Sequence, residues 1–486
     1  MMSKYQDVII GLEVHVQLTS LETKLFCNCS SDYRGKEPNT LVCPTCLGLP
    51  GSLPVTNKKA IEFATLLALA LKCDINKHFY FFRKNYYYPD LPKGFQISQY
   101  NKAGGKAFAD GGEINIKINQ EEKKIHLNRI HLEEDPARIV HEGSIVSSPH
   151  ALVDYNRSGT TLIEIVSEPD IRNPAEARDY LKQLISIIQY TGICDPSLEG
   201  AFRVDANISI KGHERAEVKN INSIREVESA LDYEVGLQKK KIGRGDTLKQ
   251  ETKHWDGKKT IPLRSKEFEA DYKYFPEQDL VPFEIDDGFI DKVRKSLPEM
   301  PDQRKARYQK QFNLSEFDAG ILILDKLISD FYEAGVKLDD SFGPEEYKLF
   351  CNWLMNDISG WLNENNKKIH ETKLKPKFVV NLINTIKKGK ITGKIAKTFV
   401  PNMMNGDDIE TIIKKTGKEA ISDEKELEKL IEEVFAENLK IVEDCRKNIK
   451  AKKALIGRVM GKTKGQANPQ KTEKIIDRKL KDLGIE

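Results

Sequence analysis

Four cysteines set the first chemical constraint. Cys27-Asn28-Cys29 and Cys43-Pro44-Thr45-Cys46 are separated by thirteen residues, and two close pairs of thiolates can surround one zinc ion tetrahedrally. Cys-Pro-x-Cys followed by Leu47-Gly48 suits the tight knuckle in which main-chain N–H groups also face sulfur. The spacing therefore predicts a closed structural site made by Cys27, Cys29, Cys43 and Cys46, against the competing reading of four unpaired core thiols. Cys73, Cys194, Cys351 and Cys445 stand alone and are expected in the core.

A second set of residues sits on strand-like alternation. Leu12, Val14, Val16 and Leu18 turn toward a core while Glu13, His15 and Gln17 share the other side. A carboxylate and an imidazole at i and i+2 lie about 7 Å apart along a strand, near enough to share a metal ion or a phosphate, although an ordinary solvated face has the same pattern. Other segments repeat it. Arg203, Asp205, Asn207 and Ser209 alternate with Val204, Ala206, Ile208 and Ile210; past a turn at Lys211–Glu214, Arg215, Glu217 and Lys219 alternate with Ala216 and Val218. His131-Leu132-Glu133-Glu134-Asp135 adds three consecutive acids. Such a surface suits a nucleotide with Mg²⁺, carboxylates holding the ion and bases neutralising phosphates; a salt-bridged exposed sheet is the alternative. Arg83–Gly94, with Tyr86, Tyr87 and Tyr88 between bases and prolines, is expected to stack a base or line a pocket with hydroxyls, or equally to form a β-edge followed by a turn. Arg264–Pro276 has the same character.

The elements that must position these groups fall into regions. With 486 residues the chain has room for about three units at roughly 150 residues each. Apolar residues at 39% and charged ones at 31% exclude collagen, coiled coil and wholesale disorder. Short alternating segments broken by Gly, Pro, Asn and Asp run to about Ile290, an antiparallel pattern with helices inserted. One helix is marked by Asn173 as N-cap, Pro174 and a terminal Gly192; another starts near Asn57 and runs through Leu71. From about Lys292 the segments become long and helix-periodic, Leu297–Pro301 forming the expected linker. A last helical piece opens at Asp423 and Glu426, with Leu427, Leu430, Ile431, Val434, Phe435, Leu439 and Val442 expected on one face.

The apolar run Ile61–Leu71 is far below the ~20 residues that cross a bilayer, and the start lacks a secretory pattern, which places the chain in the cytoplasm with no membrane partner. Net charge is +3, but residues 451–486 hold ten Lys/Arg against four acids, or +6, leaving −3 elsewhere. That asymmetry suggests a polyanion at the C-terminal end. Gly457–Thr463 is one residue short of a phosphate-binding loop and follows a helical pattern, and neither Gly-x-Ser-x-Gly nor a Gly/Ser-rich amidase stretch occurs.

Longer strings carry a resemblance. Gly11–Leu18, Cys43–Gly51, Arg83–Asp90, Gln96–Gln99, Leu162–Asp170, Arg203–Asn207, Val218–Ser223, Asp271–Pro276 and Gly465–Pro469 are similar to the B subunits of aspartyl/glutamyl-tRNA(Asn/Gln) amidotransferases, in order and end to end. The resemblance implies an α+β chain: a glutamine-synthetase-like antiparallel β cradle domain over 1–291, an all-α helical domain over 292–408 and a small YqeY-like α-helical tail over 409–486 that binds tRNA. It implies that ATP phosphorylates the side-chain carboxylate of misacylated Asp-tRNA(Asn) or Glu-tRNA(Gln). Ammonia, channelled from a separate amidase (glutaminase) partner that a small third component of the complex holds in place, then displaces the phosphate.

Carried over by position, the resemblance implies Mg²⁺ ligands at Glu13, His15, Glu133, Glu134 and Glu217, with Asp205 added from its place on the same polar face. Charge makes sense of them, since a carboxylate and ATP repel unless divalent ions intervene. Lys84, Arg157 and Arg203 are the candidates for phosphate contacts and Tyr87 for lining the acyl end. The four cysteines match the form of the family that keeps a zinc knuckle. Ser197–Gly200 has one acid where many relatives have two, and Gly159-Thr160-Thr161 replaces a more usual Gly-x-Pro. The rival reading is a zinc-stabilised RNA-binding protein without catalysis, which leaves Glu13, Glu133, Glu134 and Glu217 unnecessary.

Overall fold

The alternation that begins at Val8 produces an uninterrupted strand, β1 (Val8–Gln17), in which Val8, Ile10, Leu12, Val14 and Val16 are buried to 1% or less. It belongs to a computed structural model that describes residues 2–118, 121–141, 148–221, 223–265, 272–421, 423–463 and 465–485. Residues 266–271 and Asn222 of the segments named above, and Lys464 of the basic stretch, lie outside the described residues. Two units separate, Met1–Pro301 and Asp302–Glu486, and each is described by itself.

In the first unit β1 is followed by β2 (Asp74–Ile75), β3 (His78–Phe79), β4 (Phe82–Asn85), β5 (Phe95–Ser98), β6 (Ala109–Asp110), β7 (Glu113–Ile118) and β8 (Glu121–Glu134). Then come β9 (Arg138–His141), β10 (Ala151–Asp154), β11 (Thr161–Ser167), β12 (Phe202–Ile210), β13 (Ala216–Ile221), β14 (Glu251–Trp255), β15 (Thr260–Ser265), β16 (Phe275–Pro276) and β17 (Phe283–Glu284). Ten of these build one sheet in the order β15-β14-β13-β12-β1-β11-β8-β6-β2, with β7 also paired to β8. Its neighbours are antiparallel except β13 and β14. The exception has a cause: a 20-residue helix separates those two strands, and a crossover of that length permits parallel pairing where a tight turn does not. Sheet position puts β1 at the centre, flanked by β11 and β12.

Helices supply the other half of the core, three of them in the body of the unit. α1 (Lys58–Ala70) starts at Asn57, whose side chain accepts from the Lys59 N–H at 2.9 Å. α2 (Pro174–Thr191) has Asn173 capping the Glu176 N–H at 3.0 Å, Pro174 in its first turn, and Gly192 at φ +71° closing it, a left-handed conformation that glycine adopts without Cβ strain. α3 (Ile224–Gly243) is capped by Ser223. Leu67 of α1, Leu181, Leu184 and Ile188 of α2, and Leu231 and Val235 of α3 join the apolar residues of β1, β11 and β12 in one buried cluster. Each side chain so buried contributes about 1.5–3 kcal/mol. The helices therefore cover one sheet face, and the polar alternates are left on the other. A three-stranded sheet, β16-β4-β5, stands on that polar side, where Ser98 of β5 meets Glu133 of β8 at 2.6 Å.

The helix Asp287–Lys295 crosses the boundary expected at 291, because Ile290 and Val293 pack into the first core. The second unit is helical and has two apolar clusters. One gathers Tyr308, Phe312, Tyr332, Phe350 and others up to Ile412; the second runs from Leu427 to Ile485. The expected single face from Leu427 to Val442 is broken: the helix Glu424–Glu437 ends at Asn438, a new one spans Leu439–Lys447, and Leu439 is 68% exposed. Gly457–Thr463 is the end of the helix Lys452–Lys462 and its cap, not a phosphate loop.

Candidate active site and metal centre

Register assembles the acidic cluster. On β1, His15 stands opposite Glu164 of β11 on one side and Arg203 of β12 on the other, and Glu13 stands opposite Asp205. One strand further, Glu164 pairs with His131 of β8. His15 Nε2 lies 3.3 Å from Glu13 Oε1 and 3.8 Å from Glu164 Oε2. Glu164 is also held by His131 Nδ1 at 3.3 Å and Arg129 Nη2 at 3.2 Å. Glu13, His15 and Glu164 each offer a ligand atom within 4.8 Å of the others.

Glu164 is not among the ligands expected from sequence. Its signal there is a lone acid inside the apolar run Leu162-Ile163-Glu164-Ile165-Val166, a placement that costs free energy unless the charge is paired.

Electrostatics separate the acids. Burial, and then the Glu164 charge, push the Glu13 carboxyl up to about 7. Burial also pushes Glu164 up, but the hydrogen bond and charge of His131, with Arg129, outweigh it and hold this carboxyl well below its ordinary range. Glu133 is raised, first by burial and then by Glu164. Glu13 is thus a site of excess negative charge, the condition a divalent cation relieves.

A cavity of about 640 Å³ opens over the cluster. Glu13, Glu164, Glu217, Lys84, Arg129, Arg215 and Lys219 bring charge to it, and His131 an imidazole; Ser98, Gln99, Asn101, Asn128, Gln250 and Thr252 line it with neutral hydrogen-bonding groups. Glu217 is buried and accepts from Thr252 Oγ1 at 3.1 Å, while Lys219 Nζ lies 3.3 Å from Asp205 and 3.6 Å from Glu217. Lys84 sits 5.0 Å over the Tyr272 ring. Burial pulls its ammonium down, yet Tyr274 and the carboxylates of Glu133 and Glu164 outweigh that and hold it well above 10.5. Carboxylate oxygens with one imidazole form a donor set that a hard divalent cation accepts.

Four expected site residues are placed elsewhere. Glu134 points away from this cavity: its carboxylate is clasped by Lys93 and accepts from the Ile97 N–H at 2.9 Å. There it lines a separate cavity of about 190 Å³ with Cys27 and Cys46. One residue of shift along a strand reverses the face, so Glu133 and Glu134 cannot serve one ion from β8. Arg203 and Arg157, expected at phosphates, face Asp135 instead. Arg203 binds it at 2.9 and 3.2 Å, and Arg157 Nε lies 3.9 Å from it while its guanidinium donates to the carbonyls of Pro136 and Ala137. Tyr87 is 93% exposed and follows the end of β4, so the edge-and-turn reading describes it; the tyrosines at the large cavity are Tyr100, Tyr272 and Tyr274.

The four thiols converge as spaced. Ligand sulfurs of Cys27, Cys29, Cys43 and Cys46 lie within 4.8 Å of one another, close to the ~3.8 Å edge of a tetrahedron with Zn–S bonds of ~2.3 Å. The Cys43 N–H donates to Cys46 Sγ at 3.1 Å, and the buried Lys24 Nζ approaches the same sulfur at 3.7 Å. A hydrogen bond from Cys27, and the Lys24 charge, hold the Cys46 thiol down to about 4, and a thiolate is the form that ligates a metal. Cys43→Ser is expected to abolish binding of about one zinc per chain and to lower the thermal midpoint. Metal analysis of the purified chain checks this, and a zinc-free, equally stable wild type would refute it.

A unit of mixed α/β structure, with a large sheet carrying a carboxylate–imidazole cluster, thus precedes a helical one. Residues 8–291 match the family model described as the GatB/GatE catalytic domain, and residues 330–480 match that of the GatB domain. Two curated relatives are named as the B subunits of aspartyl/glutamyl-tRNA(Asn/Gln) amidotransferases: the protein of Saccharolobus solfataricus is 46% identical over 97% of this chain and 99% of its own, and that of Carboxydothermus hydrogenoformans 44% over 98% and 99%. The chain belongs to the GatB/GatE family. Among the described residues no helix is long and apolar enough to cross a membrane.

Proposed function

We propose that this chain is the component of a tRNA-dependent amidotransferase that activates the side-chain carboxylate of Asp-tRNA(Asn) or Glu-tRNA(Gln) with ATP and exchanges it for an amide. The observation that carries the proposal is the Glu13–His15–Glu164 cluster, of which Glu13 and Glu164 line the 640 Å³ cavity. Glu13, His15 and Glu164 would hold Mg²⁺, with Glu217 and Glu133 close by, and the bound ion would offset charge between carboxylate and triphosphate. Lys84 and Arg215, without a carboxylate ion pair among the described residues, are cations available to phosphate. The neutral groups of the wall orient the acyl end and replace its water. Ammonia from a glutaminase partner completes the exchange, a small third component joining the two. The test is transamidation with both misacylated tRNAs, glutamine, ATP and the partner proteins.

In this reading the first unit is the cradle, the stretch to about 408 the helical domain and 409–486 the YqeY-like tail that grips tRNA. The tail's charge is smaller in effect than its count. Lys452 pairs with Asp477 at 2.8 Å, Lys462 with Glu433 at 2.9 Å, Lys479 with Glu432 at 2.7 Å, and Arg478 with Glu428. Lys453, Arg458, Lys474 and Lys481 are exposed and have no ion pair among the described residues. Phosphate contacts should therefore fall on these four. The double variant Lys453→Glu/Lys474→Glu is expected to weaken tRNA binding about tenfold or more and to flatten its salt dependence, whereas Lys462→Gln should not; equal affinities in a filter or anisotropy titration would reject the tail assignment.

A further inference from the structure

Gln99 is 2% exposed and forms part of the wall of the large cavity. Its Oε1 accepts the main-chain N–H of Leu132 at 2.8 Å. A main-chain N–H can only donate, so this contact fixes the amide: oxygen toward β8, nitrogen away from it. Nε2 meets no acceptor among the described residues. Its neighbours differ. Ser98 Oγ donates to Glu133 at 2.6 Å, and Asn101 Oδ1 lies 2.6 Å from His131 Nε2. Three side chains of one segment thus lie along β8 beside the Glu164 cluster, and the middle one keeps a buried donor in hand. Buried donors are almost always met; an oriented one left unmet in a cavity wall is a place for a ligand's oxygen.

We propose that Gln99 is a substrate-binding residue whose Nε2 donates to an oxygen of the acidic acyl side chain that is activated in this cavity. The inference rests on the function proposed above. A neutral amide suits a carboxyl oxygen better than a phosphate. Phosphates recruit charge, which Lys84 and Arg215 supply in the same cavity. The carboxylate must keep one oxygen free to attack phosphorus. An amide N–H fixes one of its oxygens in direction and leaves the other free.

The experiment is steady-state transamidation by the assembled enzyme, varying acylated tRNA and ATP in turn. Gln99→Glu keeps the shape and the oxygen that accepts from Leu132, and replaces the donor by an oxygen that repels a carboxylate. It is expected to lower kcat/KM for acylated tRNA by about 10- to 100-fold, with the KM for ATP and the inhibition constant of unacylated tRNA within about twofold of wild type. Gln99→Met, uncharged and of similar length, is read in the same way should the glutamate variant lose thermal stability. An unchanged kcat/KM for acylated tRNA, or an equal rise in the KM for ATP, overturns the inference. Glu13→Gln runs alongside: if it turns over normally, the proposed function fails; if it is dead while Gln99 variants are unaffected, only the role of Gln99 fails.

Discussion

Glu164→Gln is expected to lower ATP-dependent transamidation by about 10³-fold, several kcal/mol of lost charge stabilisation at roughly tenfold per 1.4 kcal/mol, while tRNA affinity stays within about twofold. The expectation comes from where the residue sits. Glu164 shares the proposed ion-binding triad with Glu13 and His15 and is the anchor for His131 and Arg129, so neutralising it removes a ligand and loosens the Arg129 guanidinium and the His131 ring beside the cavity. A second readout separates this from misfolding. Glu13 is held near 7 by burial first and the Glu164 charge second, and removing that charge should bring its titration down toward the ordinary carboxylate range, visible by carboxyl NMR. Normal turnover in Glu164→Gln would remove the metal-site proposal and favour the RNA-binding reading, which needs no acid here.

Loss of folding is the larger consequence at Asp135. Its side chain has no exposure and is enclosed by Arg203 at 2.9 Å, Gln17 at 2.5 Å and Arg157. Removing one member of a buried, hydrogen-bonded pair strands the other charge and costs about 3–5 kcal/mol. Arg203→Leu and Asp135→Leu should each show that loss in denaturant unfolding, and the double variant should recover part of it. Burial raises the Asp135 carboxyl, but the two guanidinium groups outweigh burial and hold it below 3.8. A carboxyl depressed on folding stabilises the native state above its unfolded value and loses that contribution as pH falls through the folded one. Wild type should therefore lose stability below about pH 4, and Asp135→Asn should lose less over the same step. Equal stability of Arg203→Leu and wild type would refute the role.

Much was legible from residue types. The β1 alternation separated its apolar and polar sides at the right residues because a strand has a period of two and one side had to be apolar. The caps at Asn57, Asn173 and Asp423 announced helices because their side chains satisfy main-chain donors that the helix leaves open. Four thiols with two short spacings announced their own convergence. The placement of the other expected residues was hidden for another reason. Glu133 and Glu134 are neighbours in the chain and opposites on the strand. Arg203 points to the same side as His15, yet its partner Asp135 comes from a segment 68 residues earlier.

Composition and spacing by themselves determined the apolar core of the first sheet, the helical character beyond residue 300 and the thiol cluster, since each depends on contacts within a few residues or on a local period. Tertiary structure alone decided which charges face the cavity. That choice depends on which strands become neighbours: β1 between β11 and β12 brings Glu164 to His15 and Asp205 to Glu13. Sequence separations of some 150 and 190 residues hide such pairings, because the free energy of a buried charge is settled by the partner it meets across the sheet.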